Sequence, residues 1–361
     1  MGPAEPLLLR VWRDGSQVRG FDGASWTELL RQARRAEILG RLAVRIERAG
    51  LFDRLPRKAA GHLSSGLAVA AHAERVVRWE VRQLERVLGD LDTDLVLLKG
   101  AAYLVAGLEV SRGRLCSDID ILVPKDRLSQ VEARLLARGW EHVKLEPHDQ
   151  LYYREWTHEL PPLRHKERQV VVDIHHGILP VTSRLRPDPA RLLAHARPLP
   201  QPWARWKILS PAHLVLHAAV HGFHDGELQN PVRDILDVHE LVMEFGAGNP
   251  TFGDRLQDEA RQLGVERPLH YALRYATRYL GEFGGAGANR DRRRAVETAM
   301  DACVDEAVRS RVTPPGGAGG WLALSFLYLR SHWLRMPPGL LVRHLGAKAL
   351  RGRAREAGTR A

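Results

Sequence analysis

Only two cysteines occur in the chain, Cys116 and Cys303, and they lie far apart with no C-x-x-C spacing. That scarcity excludes a disulfide framework, a zinc knuckle and dithiol redox chemistry, and a reducing, cytoplasmic setting is the expectation that follows. No apolar run is long enough to span a bilayer. The opening "MGPAEPLLLRVWRDGSQ" breaks its short apolar run with arginine and aspartate, and it lacks the basic start and small-residue cleavage site of a signal peptide. Internal repeats are absent. Acidic charge is in deficit, with Asp plus Glu at 43 against Lys plus Arg at 54, a net charge of +11. Much of the excess sits at the C-terminus. From Arg330 to Ala361 there are eight arginines and lysines against the single acid Glu356. Such a stretch suits a nucleic acid backbone, an acidic protein or anionic lipid, and it equally suits a solvated chain end.

What is present is enough chain for a substantial core and about two or three domains. "SWTELLRQARRAEILGRLAVRIERAG" reads as a helix, with Ser25 as N-cap and Glu28 three residues later in the capping-box position. A second helical region covers about residues 56 to 88, weakened by Gly61 and Gly66. The pattern changes at Leu95. "LVLLKG" reads as a buried strand, "AAYLVAGLE" as a short helix, "DIDILVP" as a strand, and "KDRLSQVEARLLARGW" as a helix ending near Gly139. Further strands are expected at Trp140, at "QLYYREW" and at "RQVVVDIHHGI", after which strands cease. Beyond a Pro-rich stretch the chain turns helical again. "SPAHLVLHAAVHGF" pairs the N-cap Ser210 with Pro211 at the first helical position, and "PVRDILDVHELVMEF" continues the pattern. A glycine-rich surface loop is expected at "GEFGGAGANRDRR". The division is a mainly helical N-terminal region over 1–90, an α/β core over 91–185, and a helical C-terminal region with a basic tail over 205–361.

On a strand, side chains alternate between faces, so Asp118 and Asp120 point the same way while Ile119 points the other. Their carboxylates can converge on one cation, although an exposed sheet end would carry them harmlessly. "VVVDIHH" supplies a third acid, Asp173, on another apolar strand, with His175 on the same face. Mg²⁺ takes hard oxygen ligands of this kind, and two-metal phosphoryl-transfer sites hold their ions about 3.5 to 4 Å apart.

The succession "LLKG", "SDIDILV" and "VVDIHH" resembles the uncharacterised nucleotidyltransferase family of the DNA polymerase β-like superfamily. The resemblance covers about residues 90 to 245. It includes "ILSPAHLVLHAAVHGFHDGELQNPVRDILDVHELV", similar to the family's segment in which a histidine-bearing helix precedes an Arg-Asp pair. It implies an α+β fold with a small mixed sheet flanked by helical regions. The implied activity is a nucleotidyltransferase of the EC 2.7.7 type, moving a nucleoside monophosphate from ATP or another NTP to an acceptor with two Mg²⁺ ions. By resemblance Asp118 and Asp120 are the metal-binding pair, and Asp173 is the third carboxylate that helps deprotonate the acceptor. Gly100 is the turn glycine beside the nucleotide phosphates. Ala101 departs from the pattern, standing where many members carry a phosphate-touching serine, and Lys99 is a cation able to substitute.

Arg233 is either half of a helix-surface ion pair with Asp234 or a contact to the triphosphate. His217 and His221, one helical turn apart, are interface histidines, acceptor-pocket groups or, with no third ligand at fixed spacing, an incomplete zinc pair. His175 is expected to support Asp173 by hydrogen bonding. The acceptor is a small hydroxylated molecule, a tRNA end or a protein side chain. The alternative from another class is a non-catalytic nucleotide-binding or scaffold protein that retains the fold.

Overall fold

The computed structural model describes residues 5–143, 146, 150–225, 228–283, 295–313 and 317–339. The expected glycine-rich loop lies largely outside the described residues, as does the basic chain after residue 339. The fold is α+β, with helices on either side of one mixed sheet in sequence order.

The N-terminal helices are α1 (Leu7–Arg13), α2 (Gly23–Arg35), α3 (Leu39–Arg48) and the long α4 (Arg57–Leu88). The expected capping box at Ser25 is not formed. Asp22 caps α2 instead, accepting from the Ser25 amide at 2.8 Å, while Glu28 turns to Arg31 and Gln32 at 2.6 Å each. Glu37 takes a left-handed backbone (φ 59°) and divides the expected single helix into α2 and α3. Gly61 and Gly66 do not interrupt α4. Gly66 lets α3 pass close by, since a Cβ there would meet Leu39 Cγ at 2.8 Å.

Seven strands follow: β1 (Val96–Leu97), β2 (Asp118–Leu122), β3 (Trp140–His142), β4 (Leu163–His165), β5 (Val171–His175), β6 (Arg197–Pro198) and β7 (Lys207–Ile208). They are ordered β3-β4-β5-β2-β1-β7-β6. The pairs β2–β5 and β1–β7 are parallel and the others antiparallel. Two strand expectations need correction. "QLYYREW" contains a π-helical turn over Tyr152–Trp156, where Tyr152 and Trp156 meet edge to face at a helical spacing of four residues. Strands also do not cease after β5, because β6 and β7 extend the sheet beyond β1; two-residue strands are too short to carry a periodic signal.

Leu95 to Leu98 are wholly buried, which places β1 in the core and leads directly into α5 (Lys99–Ala106). Next come α6 (Leu128–Leu136), α7 (Pro189–Ala194), α8 (Pro211–Val220), α9 (Pro231–Gly246), α10 (Phe252–Leu263), α11 (Glu266–Leu280), α12 (Ala295–Val312) and α13 (Gly317–Arg335). Ser210 caps α8 as expected, with Pro211 following it.

The N- and C-terminal helical regions are joined through a buried charge cluster. Arg41 of α3, 1% exposed at its side chain, donates to Asp237 at 2.6 Å and to Glu240 at 2.7 Å, both on α9. Arg114, from the loop before β2, reaches the same Asp237 at 3.0 Å. One carboxylate thus holds two guanidiniums, and a buried charge is tolerated only when so compensated.

Candidate active site

The site begins with the alternation in β2. Ile119 and Ile121 are wholly buried on one face, which turns Asp118 and Asp120 to the other. β5 runs parallel to β2 in a register that sets Asp120 opposite Asp173 and Leu122 opposite His175. Opposed residues of a parallel pair share a face, so Asp118, Asp120, Asp173 and His175 lie together on one side of the sheet. Two spacings in the primary structure, D-x-D and D-x-H, become a single patch through that register.

Asp120 is only 2% exposed and is paired twice. Lys99 Nζ donates to its Oδ1 at 2.8 Å, and His175 Nε2 lies 2.9 Å from the same oxygen. Burial alone would raise the Asp120 carboxyl; the Lys99 ammonium and the His175 bond outweigh it and hold the group well below the usual carboxylate range. Burial works against charge on Lys99 and His175 as well, and Asp120 reverses that, raising both. His175 also faces Glu159, with Nδ1 3.5 Å from Oε2. Asp173 has no such support. Its Oδ1 is buried without a hydrogen-bond partner, and burial together with the charges of Asp120 and Glu159 pushes its carboxyl up to about 7.

The turn from β1 into α5 closes the other side. Leu98 N donates to Asp120 O at 3.0 Å, tying the turn to β2. Lys99 then takes φ 44°, an uncommon conformation for a side-chain-bearing residue, which aims its ammonium back at Asp120. Gly100 follows because no side chain fits there: a Cβ would lie 2.6 Å from Arg114 Nη1 and 2.7 Å from Cys116 Sγ.

A cleft of about 260 Å³ opens beside this turn. Lys99, Gly100, Asp118 and Asp120 line it together with Arg114, Cys116, His221, Arg233 and Asp234. Arg114 is fixed by Asp237 and lies over the Tyr103 ring at 5.6 Å. Its guanidinium therefore enters the cleft pre-oriented. Burial pushes the Cys116 thiol up to about 11, so it stays protonated and is no nucleophile at neutral pH. Burial likewise raises the Asp234 carboxyl to about 6, against the pull of Arg233. Arg233 does not make the surface pair once conceivable from its neighbour alone; its Nη1 lies 3.7 Å from Glu37 Oε2, reaching back to the α2–α3 corner.

Of the two helix histidines, His221 lines the cleft, while His217 is buried behind it at 4% exposure. Burial and the nearby Lys99 charge depress both, His221 to about 3, so both rings are neutral. They form no metal-sized group with a third ligand among the described residues. The residues that do are His158, Glu159 and His175, whose ligand atoms lie within 4.8 Å of one another. Asp118, Asp120 and Asp173 do not form such a group among the described residues.

Sequence reading missed Glu159, His158, Arg114 and Asp237. Glu159 and His158 arrive because the segment after the π-helical turn runs along β5, with Leu160 N bonded to Ile174 O at 2.8 Å and His176 N to His158 O at 2.8 Å. No short motif marks them.

The donor set suits a hard cation. Asp118 and Asp120 present oxygens on one face, and the orphaned Asp173 Oδ1 is an acceptor in search of a positive partner. A mixed sheet carrying acids on adjacent parallel strands, with a glycine turn into a helix alongside, is an α+β nucleotidyltransferase fold. The model of a family described as uncharacterised nucleotidyltransferase matches residues 22–281, and the chain belongs to that family. No curated protein matches it. Among the described residues no helix is long and apolar enough to cross a membrane.

Proposed function

We propose that the protein transfers a nucleoside monophosphate from an NTP to a hydroxyl-bearing acceptor and releases pyrophosphate, with Mg²⁺ as cofactor. The observation that carries this reading is the register that sets Asp120 opposite Asp173 on the face that also bears Asp118. These three aspartates would hold the metal, which when bound lowers the acceptor hydroxyl's pKa and neutralises charge on the phosphoryl oxygens.

The remaining work falls to the chain's own groups. Lys99, Arg114 and Arg233, with the α5 backbone at Gly100, all line the cleft and receive the triphosphate. The acceptor oxygen attacks the α-phosphorus; the bond from that phosphorus to the bridging oxygen breaks, and pyrophosphate carries off the electron pair. Asp173, on the face it shares with Asp120, takes the acceptor's proton. His175 and Lys99 keep Asp120 ionised throughout.

The reading is tested by incubating the protein and Mg²⁺ with each α-labelled NTP and pools of small hydroxylated molecules, tRNA and protein, and following label by mass. Label should reach one pool, and D120N should abolish it. Nucleotide binding without transfer to any pool would sink the catalytic reading in favour of a nucleotide-binding protein.

A further inference from the structure

We propose that α13 is a membrane-surface helix, which docks the protein on an anionic lipid bilayer without crossing it. The proposal is independent of the reaction assigned above. Trp321, Leu322, Phe326, Leu329 and Trp333 are 69%, 61%, 49%, 52% and 46% exposed. Leu322, Phe326, Leu329 and Trp333 recur at intervals of four, three and four residues, so they form one stripe along the helix. The opposite face is firmly seated: Leu327, Ser331 and His332 are buried, and Arg330 donates to Phe223 O at 3.2 Å. The stripe is therefore an outward face of a packed helix. Beside it an apolar groove of about 730 Å³, lined by Trp321, Leu324, Leu329, Leu228 and Ala307, widens the apolar surface. Monomeric proteins rarely expose a contiguous patch of this kind without a partner.

Charge selects the partner. Arg184, an exposed residue, donates to Trp333 O at 3.0 Å and lies over the Trp333 ring at 4.4 Å, setting a cation at one end of the stripe. The sequence then continues with Arg343, Lys348, Arg351, Arg353, Arg355 and Arg360 against Glu356 alone. An apolar helix face with tryptophan near both ends, followed by a polybasic stretch, supplies the two signals that stable interfacial binding requires. A second copy of the chain carries the same excess of positive charge and gives it no counter-charge, whereas an anionic bilayer neutralises it. A nucleic acid would want cations interleaved along the stripe, whereas its positions are aromatic and aliphatic.

Full-length protein is sedimented with vesicles of phosphatidylcholine alone and with vesicles of equal parts phosphatidylcholine and phosphatidylglycerol, over a salt series. Partition onto the mixed vesicles and not onto phosphatidylcholine is expected, weakening as salt rises. The variant W321S/L322Q/F326Q should bind about tenfold more weakly or less. Each of its positions is about half exposed or more, and an unchanged thermal midpoint confirms that it folds. The full-length variant R351Q/R353Q/R355Q should lose most of the salt-sensitive binding. No partition onto mixed vesicles overturns the proposal, and so does unchanged binding by the apolar triple variant. Vesicle-independent dimerisation that W321S/L322Q/F326Q abolishes would assign the stripe to a second copy. Binding to tRNA but not to vesicles would assign the basic stretch to nucleic acid.

Discussion

Replacing Asp173 by asparagine should stabilise the metal-free protein while destroying its function. One oxygen of this carboxylate is buried and unpartnered, and burial with the charges of Asp120 and Glu159 raises its carboxyl to about 7. An unfolded aspartate titrates near 3.9, so the difference is about three pH units, or ~4 kcal/mol at 1.36 kcal/mol per unit. Because the folded value is the higher one, the native state holds the proton that the unfolded state releases. Native stability therefore falls relative to a non-titrating variant as pH rises from about 4 to about 7, and the difference is constant above that. Asparagine retains the unpartnered acceptor, so the cost of burying a polar group is unchanged and only the ionisation penalty is removed. Partial solvent screening of the half-buried side chain reduces the gain to ~2–4 kcal/mol. The assay is guanidinium unfolding of both proteins in metal-free buffer, followed by tryptophan fluorescence. D173N should be more stable at about pH 8 and show roughly half that gain at pH 5.5. Adding Mg²⁺ should stabilise the wild type and not the variant. A D173N protein no more stable than wild type at pH 8, or a gain that ignores pH, would refute the electrostatic account of this residue.

K99M should leave Asp120 buried beside His175 with one counter-charge fewer, lowering thermal stability by ~2–4 kcal/mol; Mg²⁺ should restore part of it by replacing the ammonium charge, read by calorimetry with and without metal. G100V, whose side chain collides with Arg114 and Cys116, should weaken NTP binding measured by titration calorimetry while α5 remains folded; unchanged affinity would move the phosphate site elsewhere. D237A strips the shared partner from Arg41 and Arg114 and should cost about 3–5 kcal/mol in denaturant unfolding, with D237N recovering only part of it because a neutral amide cannot compensate two buried guanidiniums.

Much of this protein was legible in local pattern. The period-two alternation of "DIDIL" marks a strand with both acids on one face, and the Ser-Pro start of α8 and the lysine-glycine turn into α5 are local chemistry that a linear reading recovers. The resemblance of these motifs to a nucleotidyltransferase family was sufficient to indicate the fold, because motif order along the chain is itself sequence information. Other features depend on partners distant in the chain. Nothing near Lys99 shows that its ammonium closes on Asp120, since that bond needs the positive φ of the turn and the seating of β1 against β2. Glu159 and His158 carry no motif, and they reach the site only where their segment docks along β5. Arg114 reads as one arginine among many until Asp237, 123 residues later, fixes it in the cleft. Asp173 is recognisable as a third acid from its strand, but its raised pKa is a property of burial and neighbouring charge. The stripe on α13 likewise reads as a core helix by its leucines and tryptophans; only packing decides which face is spent on the core and which is left to solvent. Periodicity is set by backbone geometry within one element, and so the sequence by itself determined the elements and their apolar faces. Charge pairing, ionisation and exposure are set by which elements meet, and only the tertiary structure decided those.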